Sequence, residues 1–253
     1  MTIWKFVTIG WRMMKQDPLV MAPSLIFFLL LHAIEAIYLK NFTFDRVPTS
    51  VEIFAILGVL VLNVFFVTLN TSMGLSLQES GHVEVGHSIL ETCRAFVSLV
   101  LLTLLCLLPL FCLFLGGLWA TGTLVQTIPP LISALSVVGQ IFLMVIIMIL
   151  VLILQFFPVM ALDRQLNWLS VPATAAWFVW SRLRYVIVFT ALVYFIKFLG
   201  LLASVLFVSI PFVGESLFLA FFRAFSHCLT VLMTVVFYLG MKRIDSSSVV
   251  TSA

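Results

Sequence analysis

Long apolar runs alternate along this chain with short polar breaks. Six runs, at about 19–39, 53–77, 96–119, 131–157, 185–209 and 217–240, match the ~20 residues a helix needs to cross ~30 Å of hydrocarbon. A spanning segment must satisfy its own backbone, which a helix does alone and a single strand cannot. Between some of the runs the rhythm changes to a period near 3.6. Trp4, Val7, Trp11 and Met14 recur at steps of three and four, with Lys5, Thr8, Arg12 and Lys15 one residue behind. This pairing of an aromatic stripe with a basic one predicts an amphipathic helix over 2–16, closed by Asp17 and Pro18 because the residue before proline is pushed out of the helical region.

A second amphipathic segment, 81–95, has Val85, Ile89, Cys93 and Phe96 as its apolar face and Glu84, His87, Glu91 and Arg94 as its polar one. A third, 171–184, follows the close of the fourth run at Phe156, Phe157 and Pro158 and a wet break at Asp163 and Arg164. Pro172 opens it, and Trp177, Trp180, Arg182 and Arg184 lie along it. Aromatic rings and arginines settle at the membrane–water interface, so all three segments are expected there, in contact with lipid headgroups or partner proteins. Packing of the first helix on the protein's own spans would fit its pattern equally well. Pro109 predicts a kink in the third run, and 246–253 reads as a tail without structure. The expected fold is all-α, a single transmembrane domain over 1–245 with six spans and three interfacial helices.

Composition removes the alternatives. With 63% hydrophobic and 9% charged residues and a mean hydropathy of +1.26, the chain has too few polar groups to clothe a water-soluble core. The net charge of +3 is scattered over short loops and gives no nucleic-acid footprint. Its distribution matters more. Lys5, Arg12, Lys15, Arg94, Arg164, Arg182, Arg184, Lys242 and Arg243 fall on one side, and Lys40 and Arg46 alone on the other. The positive-inside rule then places both termini in the cytoplasm and the chain in a bacterial inner membrane. The first run is too long for a signal-peptide core and carries His32 and Glu35, so it reads as an uncleaved span.

Ionisable groups inside hydrocarbon are costly and mark the places to look for function. Here they are His32 and Glu35 in the first run, Lys197 in the fifth, and Arg223 and His227 in the sixth. Opposed helix directions allow a cluster in the outer half with Glu35 against Arg223, Glu215 being an alternative partner. Lys197 faces Asn63 or Gln140, or snorkels. No discontinuous helix or inverted repeat points at the cluster, so a structural ion pair is the plainer reading. Glu79, Glu84 and Glu91 read as a solvated face, and His82 and His87 as surface histidines. Cys93, Cys106, Cys112 and Cys228 lack ligand spacing, and no cofactor or metal is expected. No hydrolase motif and no aspartate within a span is present, so an enzyme is not expected.

Arg12, Arg94 and Arg182 precede the odd-numbered runs at intervals of 82 and 88 residues, which is compatible with a threefold repeat. Gly10-Trp11-Arg12 with Asp17-Pro18, and Phe157-Pro158-Val159 followed by Ala175-Ala176-Trp177 and Arg182, carry a resemblance to a known family. The layout resembles the bacterial membrane domain fused to some glycerophosphoryl diester phosphodiesterases and found in related stand-alone proteins. That resemblance implies no phosphodiesterase activity, because the catalytic barrel of those proteins is a separate soluble domain. The function expected from sequence is a non-catalytic membrane scaffold or accessory subunit whose partners are lipids and other membrane subunits. The alternative is a small-molecule or lipid transporter that uses the intramembrane polar cluster.

Overall fold

The computed structural model describes residues 4–38, 49–124, 144–163, 168–208 and 215–250, with the side chains of 108–124, 168, 204–208, 215–218 and 244–250 outside the description. Every regular element among them is helical. In chain order these are α1 (Trp4–Gln16), α2 (Ala22–Tyr38, preceded by a 3-10 turn Pro18–Met21), α3 (Ser50–Ser80), α4 (Val85–Leu124), α5 (144–154), α6 (Phe157–Leu162), α7 (Val171–Ser181), α8 (Leu183–Val208) and α9 (Glu215–Val250). Six stretches are long and apolar enough to cross a bilayer: Pro18–Tyr38, Ser50–Ser80, Val85–Leu107, Met144–Leu162, Leu183–Ala203 and Leu219–Arg243. The chain is a multi-pass membrane protein.

The last span is the axis of the bundle. In α9, 83% of the most apolar window is buried, against 17–28% in the other five, and α1, α2, α3 and α8 all pack on it. Lipid is as apolar as leucine, so close van der Waals packing rather than water exclusion must hold such an assembly. Glycines permit it on three sides. A Cβ at Gly10 would stand 3.2 Å from Leu229 and Met233, one at Gly74 2.8 Å from Leu232, and one at Gly200 2.3 Å from the Ser226 hydroxyl. Aromatic rings fill the space left over. Phe189 and Phe237 stack at 4.3 Å, and Phe6 and Phe156 close around them from α1 and from the α5–α6 junction.

The junctions that precede the odd-numbered spans meet at one end of the bundle, hereafter the junction end. Gln16 Nε2 donates to the Gly81 carbonyl (2.7 Å), and the Val83 N–H donates to the Asp17 carboxylate (3.1 Å). Tyr238 Oη (2.7 Å) and Lys242 Nζ (2.6 Å) both donate to Asp163. Asp163, read from sequence as a solvated marker, is instead an anchor for α9, with a side chain 11% exposed. α3 reaches this end through a left-handed Gly81 (φ 80°) and starts at the other with a capping box between Thr49 and Glu52.

The amphipathic segments pack differently from their sequence patterns. In α1 the buried face is Phe6, Gly10, Met13 and Met14, while Trp4 and Trp11 stand on the exposed flank with Lys5, Arg12 and Lys15. Glycine at position 10, rather than a large apolar residue, sets the line of closest approach to α9. The segment 81–95 forms no separate helix from Val85 onward, since α4 runs unbroken from Val85 to Leu124 through Pro109. The buried residues of α4 here are Ser88, Thr92 and Leu99; of the apolar face expected from sequence Val85 and Phe96 are half-buried while Ile89 and Cys93 are exposed, and of the polar face Glu84, His87 and Arg94 are exposed. Small hydroxylated residues pack against helices and bulky ones face lipid. α7 is a separate helix set off from α8 by Arg182, whose guanidinium lies 4.8 Å above the Phe178 ring. α9 continues to Val250, into the stretch read from sequence as an unstructured tail.

Candidate intramembrane binding site

Polar residues on α9 fall on one line. Arg223, His227, Thr230 and Thr234 follow one another at steps of four, three and four, which places them on a single helical face. Ser226, Thr230 and Thr234 donate their hydroxyl protons to the carbonyls of Arg223, His227 and Thr230, at 2.8–3.0 Å. Their backbone costs are thereby settled within α9, and their oxygen lone pairs remain available.

This face borders an open cavity of about 440 Å³ lined by residues of α2, α3, the α5–α6 segment, α8 and α9. Asn63 comes from α3, Gln155 from the α5–α6 junction, Lys197 from α8, and Arg223 and His227 from α9. Apolar walls such as Phe27, Val193 and Val231 complete it. From Arg223 to Val235 the lining of α9 extends over about 18 Å at 1.5 Å per residue, more than half of the ~30 Å hydrocarbon layer. The cations gather toward the Arg223 end, and the hydroxyls continue toward the junction end.

One wall is a broken helix. The span Met144–Leu162 is interrupted at Gln155 and Phe156, where the Phe156 N–H turns back to Ile153 O (3.1 Å). Pro158 has no N–H to give to the Leu154 carbonyl, which explains the break. Leu154, Gln155 and Pro158 all line the cavity, and the Gln155 amide is fixed by donating to Thr190 Oγ1 at 2.6 Å. The sequence reading put the end of the span at this proline and expected no discontinuous helix. The helix resumes as α6 because the polar anchor at Asp163 lies one turn further on.

The predicted cluster divides. Lys197, Arg223, His227 and Asn63 all line the cavity, and Lys197 Nζ also lies 5.6 Å from the Tyr194 ring centroid. Glu35 does not pair with Arg223. It approaches His32 one turn away on α2 at 3.9 Å, both side chains being more than a third exposed, and neither residue lines the cavity. Gln140 and the side chain of Glu215 lie outside the described residues. His227 is buried at 9% exposure, edge-on to Phe28 at 5.5 Å, and its Nε2 has no hydrogen-bond partner among the described residues. The Nε of Arg223 is likewise buried without one.

A second cavity of about 390 Å³ opens at the junction end. Glu79, Glu84 and Glu91 line it together with His87, Asp163 and Lys242, so the glutamates read as a solvated face converge on one hollow. Glu91 is bonded to His87 (3.0 Å) and Ser72 (3.2 Å). No group of three or more potential metal ligands is present among the described residues.

The residues proposed for interfacial contact lie on the outer surface. Trp177 and Trp180 are 70% and 75% exposed, Trp4 and Trp11 are exposed, and so are Arg12, Arg94 and Arg184, while Arg182 is half-buried against Phe178. Gln155, Thr230 and Thr234 escaped the sequence reading, which looked for charge within the spans and stopped at His227. The signal was the continuation of the Arg223–His227 spacing through two threonines. No protein-family model, curated protein or solved structure matches the chain.

Proposed function

We propose that this multi-pass membrane protein is a carrier that binds a small solute or a lipid headgroup between its spans. The observation that supports this reading is the cavity bordered by Lys197, Arg223, His227 and Gln155 and walled on one side by a broken helix. Interrupted helices at membrane depth are tolerated where they line a cavity, and in secondary transporters they hold the substrate. A chain that needed only to pack would do better with an apolar interior, because buried charges cost more than they return. The excess of basic residues at the junction end supports a cytoplasmic location for that end in a bacterial inner membrane.

A scaffold or accessory-subunit role is the second reading. It draws support from Trp177 and Trp180 on α7, both largely exposed, and from the exposed Arg184 at the start of α8. Such rings suit headgroups or a neighbouring subunit. Purification in a mild detergent followed by mass spectrometry of everything retained separates the two roles. A carrier should hold a small molecule or lipid that is lost on Gln155→Leu and kept on Trp177→Ala/Trp180→Ala. Retention of a stoichiometric protein lost only with the tryptophans, and no bound small molecule, would replace the carrier by the scaffold.

A further inference from the structure

The cavity presents Lys197, Arg223 and His227, and among the described residues that line it there is no aspartate or glutamate. Glu35, the acid expected to balance Arg223, is engaged with His32 on the outer part of α2. Arg223 therefore has no carboxylate partner among the described residues, and its Nε together with His227 Nε2 is buried without a hydrogen bond. Arg223 is half-buried with its Nε inside, and because a guanidinium cannot shed its proton, that buried N–H calls for an acceptor, best an anionic one. Two cations and an unpaired imidazole on α8 and α9 thus form a site short of one negative group. The hydroxyls lower on α9 and the apolar walls supply a second, less polar compartment suited to the body of a ligand rather than its head.

We propose that the cavity binds an organic anion, its phosphate or carboxylate head held by Arg223 and Lys197 with His227 as a further hydrogen-bonding group, and its apolar body lying along α9 toward Thr234. The planar guanidinium matches an oxyanion in a bidentate manner, and the ammonium adds a point charge from the opposite helix. About 440 Å³ falls within the range of small-ligand sites and accommodates such a head with a short chain. The same head could belong to a free metabolite or to an anionic membrane lipid reaching in from the bilayer. This assignment rests on the carrier reading and names the charge of its substrate.

The test is calorimetric titration of the full-length protein in phosphatidylcholine nanodiscs with three probes of equal chain length: hexyl phosphate, hexanol and hexyltrimethylammonium. Hexyl phosphate should bind saturably, and the other two should not. Arg223→Gln and Lys197→Gln should each weaken it about tenfold or more, since hydrogen bonds to charged groups are among the strongest available. Arg223→Lys should restore part of the affinity, and Glu35→Gln, outside the cavity, should leave it unchanged. Unaltered elution and melting of each variant guard against misfolding. Nanodiscs containing phosphatidylglycerol distinguish the sources: loss of hexyl phosphate binding there assigns the site to a lipid headgroup, and unchanged binding assigns it to a free anion. If hexanol or the cation binds as tightly as hexyl phosphate, or if Arg223→Gln and Lys197→Gln bind it normally, the anion assignment is overturned while the cavity remains a binding site. If no probe binds the wild type, the carrier reading falls with it.

Discussion

Single residues on α9 do two jobs. Positions from Arg223 to Val235 border the cavity, and Leu229, Leu232, Met233 and also the cavity-lining Ser226 meet glycines of neighbouring helices. The tightest of these meetings is Gly200 with Ser226, where even one added methyl group would overlap the serine hydroxyl. Gly200→Ala is expected to destabilise the protein by about 1–3 kcal/mol through overpacking, and Ser226→Gly in the same chain should recover part of the loss. Unfolding measured in one detergent for the wild type and the two variants checks it. A result in which Gly200→Ala melts like the wild type would mean that α8 and α9 do not approach so closely. Neither partner stands out in the sequence, because a glycine or serine in an apolar run is compatible with lipid, a neighbouring helix or a bend. The polar line was more legible: its charged members are visible by cost alone, whereas its threonines satisfy their own backbone and give no alarm.

Among the elements, the α5–α6 segment departs furthest from what its sequence suggested. An apolar run ending in Phe156-Phe157-Pro158 looks like a span leaving the membrane, since proline usually marks the end of a helix. The stop signal was real, but it acts inside the span; the membrane-crossing stretch finishes at Leu162, against the wet break that the sequence shows at Asp163, and the pairing of Asp163 with Tyr238 and Lys242 anchors it there. Pro158→Ala returns a donor to the Leu154 carbonyl. It is therefore expected to raise stability by about 1 kcal/mol or more and to lower retention of the co-purified small molecule as the cavity wall straightens. Higher melting with undiminished retention would show that the break does not shape the site. The amphipathic segments teach a related lesson. The segment 81–95 merges into α4 instead of forming a helix of its own, and the buried side of α4 carries Ser88 and Thr92, because lipid and protein both present apolar surroundings and only size and close approach tell them apart.

At the scale of the whole molecule, the number of spans and their helical nature were readable, because crossing hydrocarbon imposes a length and a composition that little else requires. The gathering of the three junctions at one end was also foreseeable from the distribution of basic residues, and the hydrogen bonds joining Gln16 and Asp17 to the Gly81–Val83 turn give it a physical form. The assembly around α9 was not readable, since all six runs are apolar and nothing in their composition says which is central. The hollow between the spans follows from that arrangement and is the feature on which the proposed carrying role depends. A carrier must admit water to this hollow, whereas a scaffold needs only a dry, packed interior. The most direct measurement is modification by a charged, membrane-impermeant thiol reagent in a background where the four native cysteines are replaced. Asn63→Cys, bordering the cavity, should be modified in the folded protein, and Leu105→Cys, 70% exposed on the outer surface within a span, should be protected by lipid. Protection of both positions would mean that water does not reach the hollow and would contradict the role assigned to it.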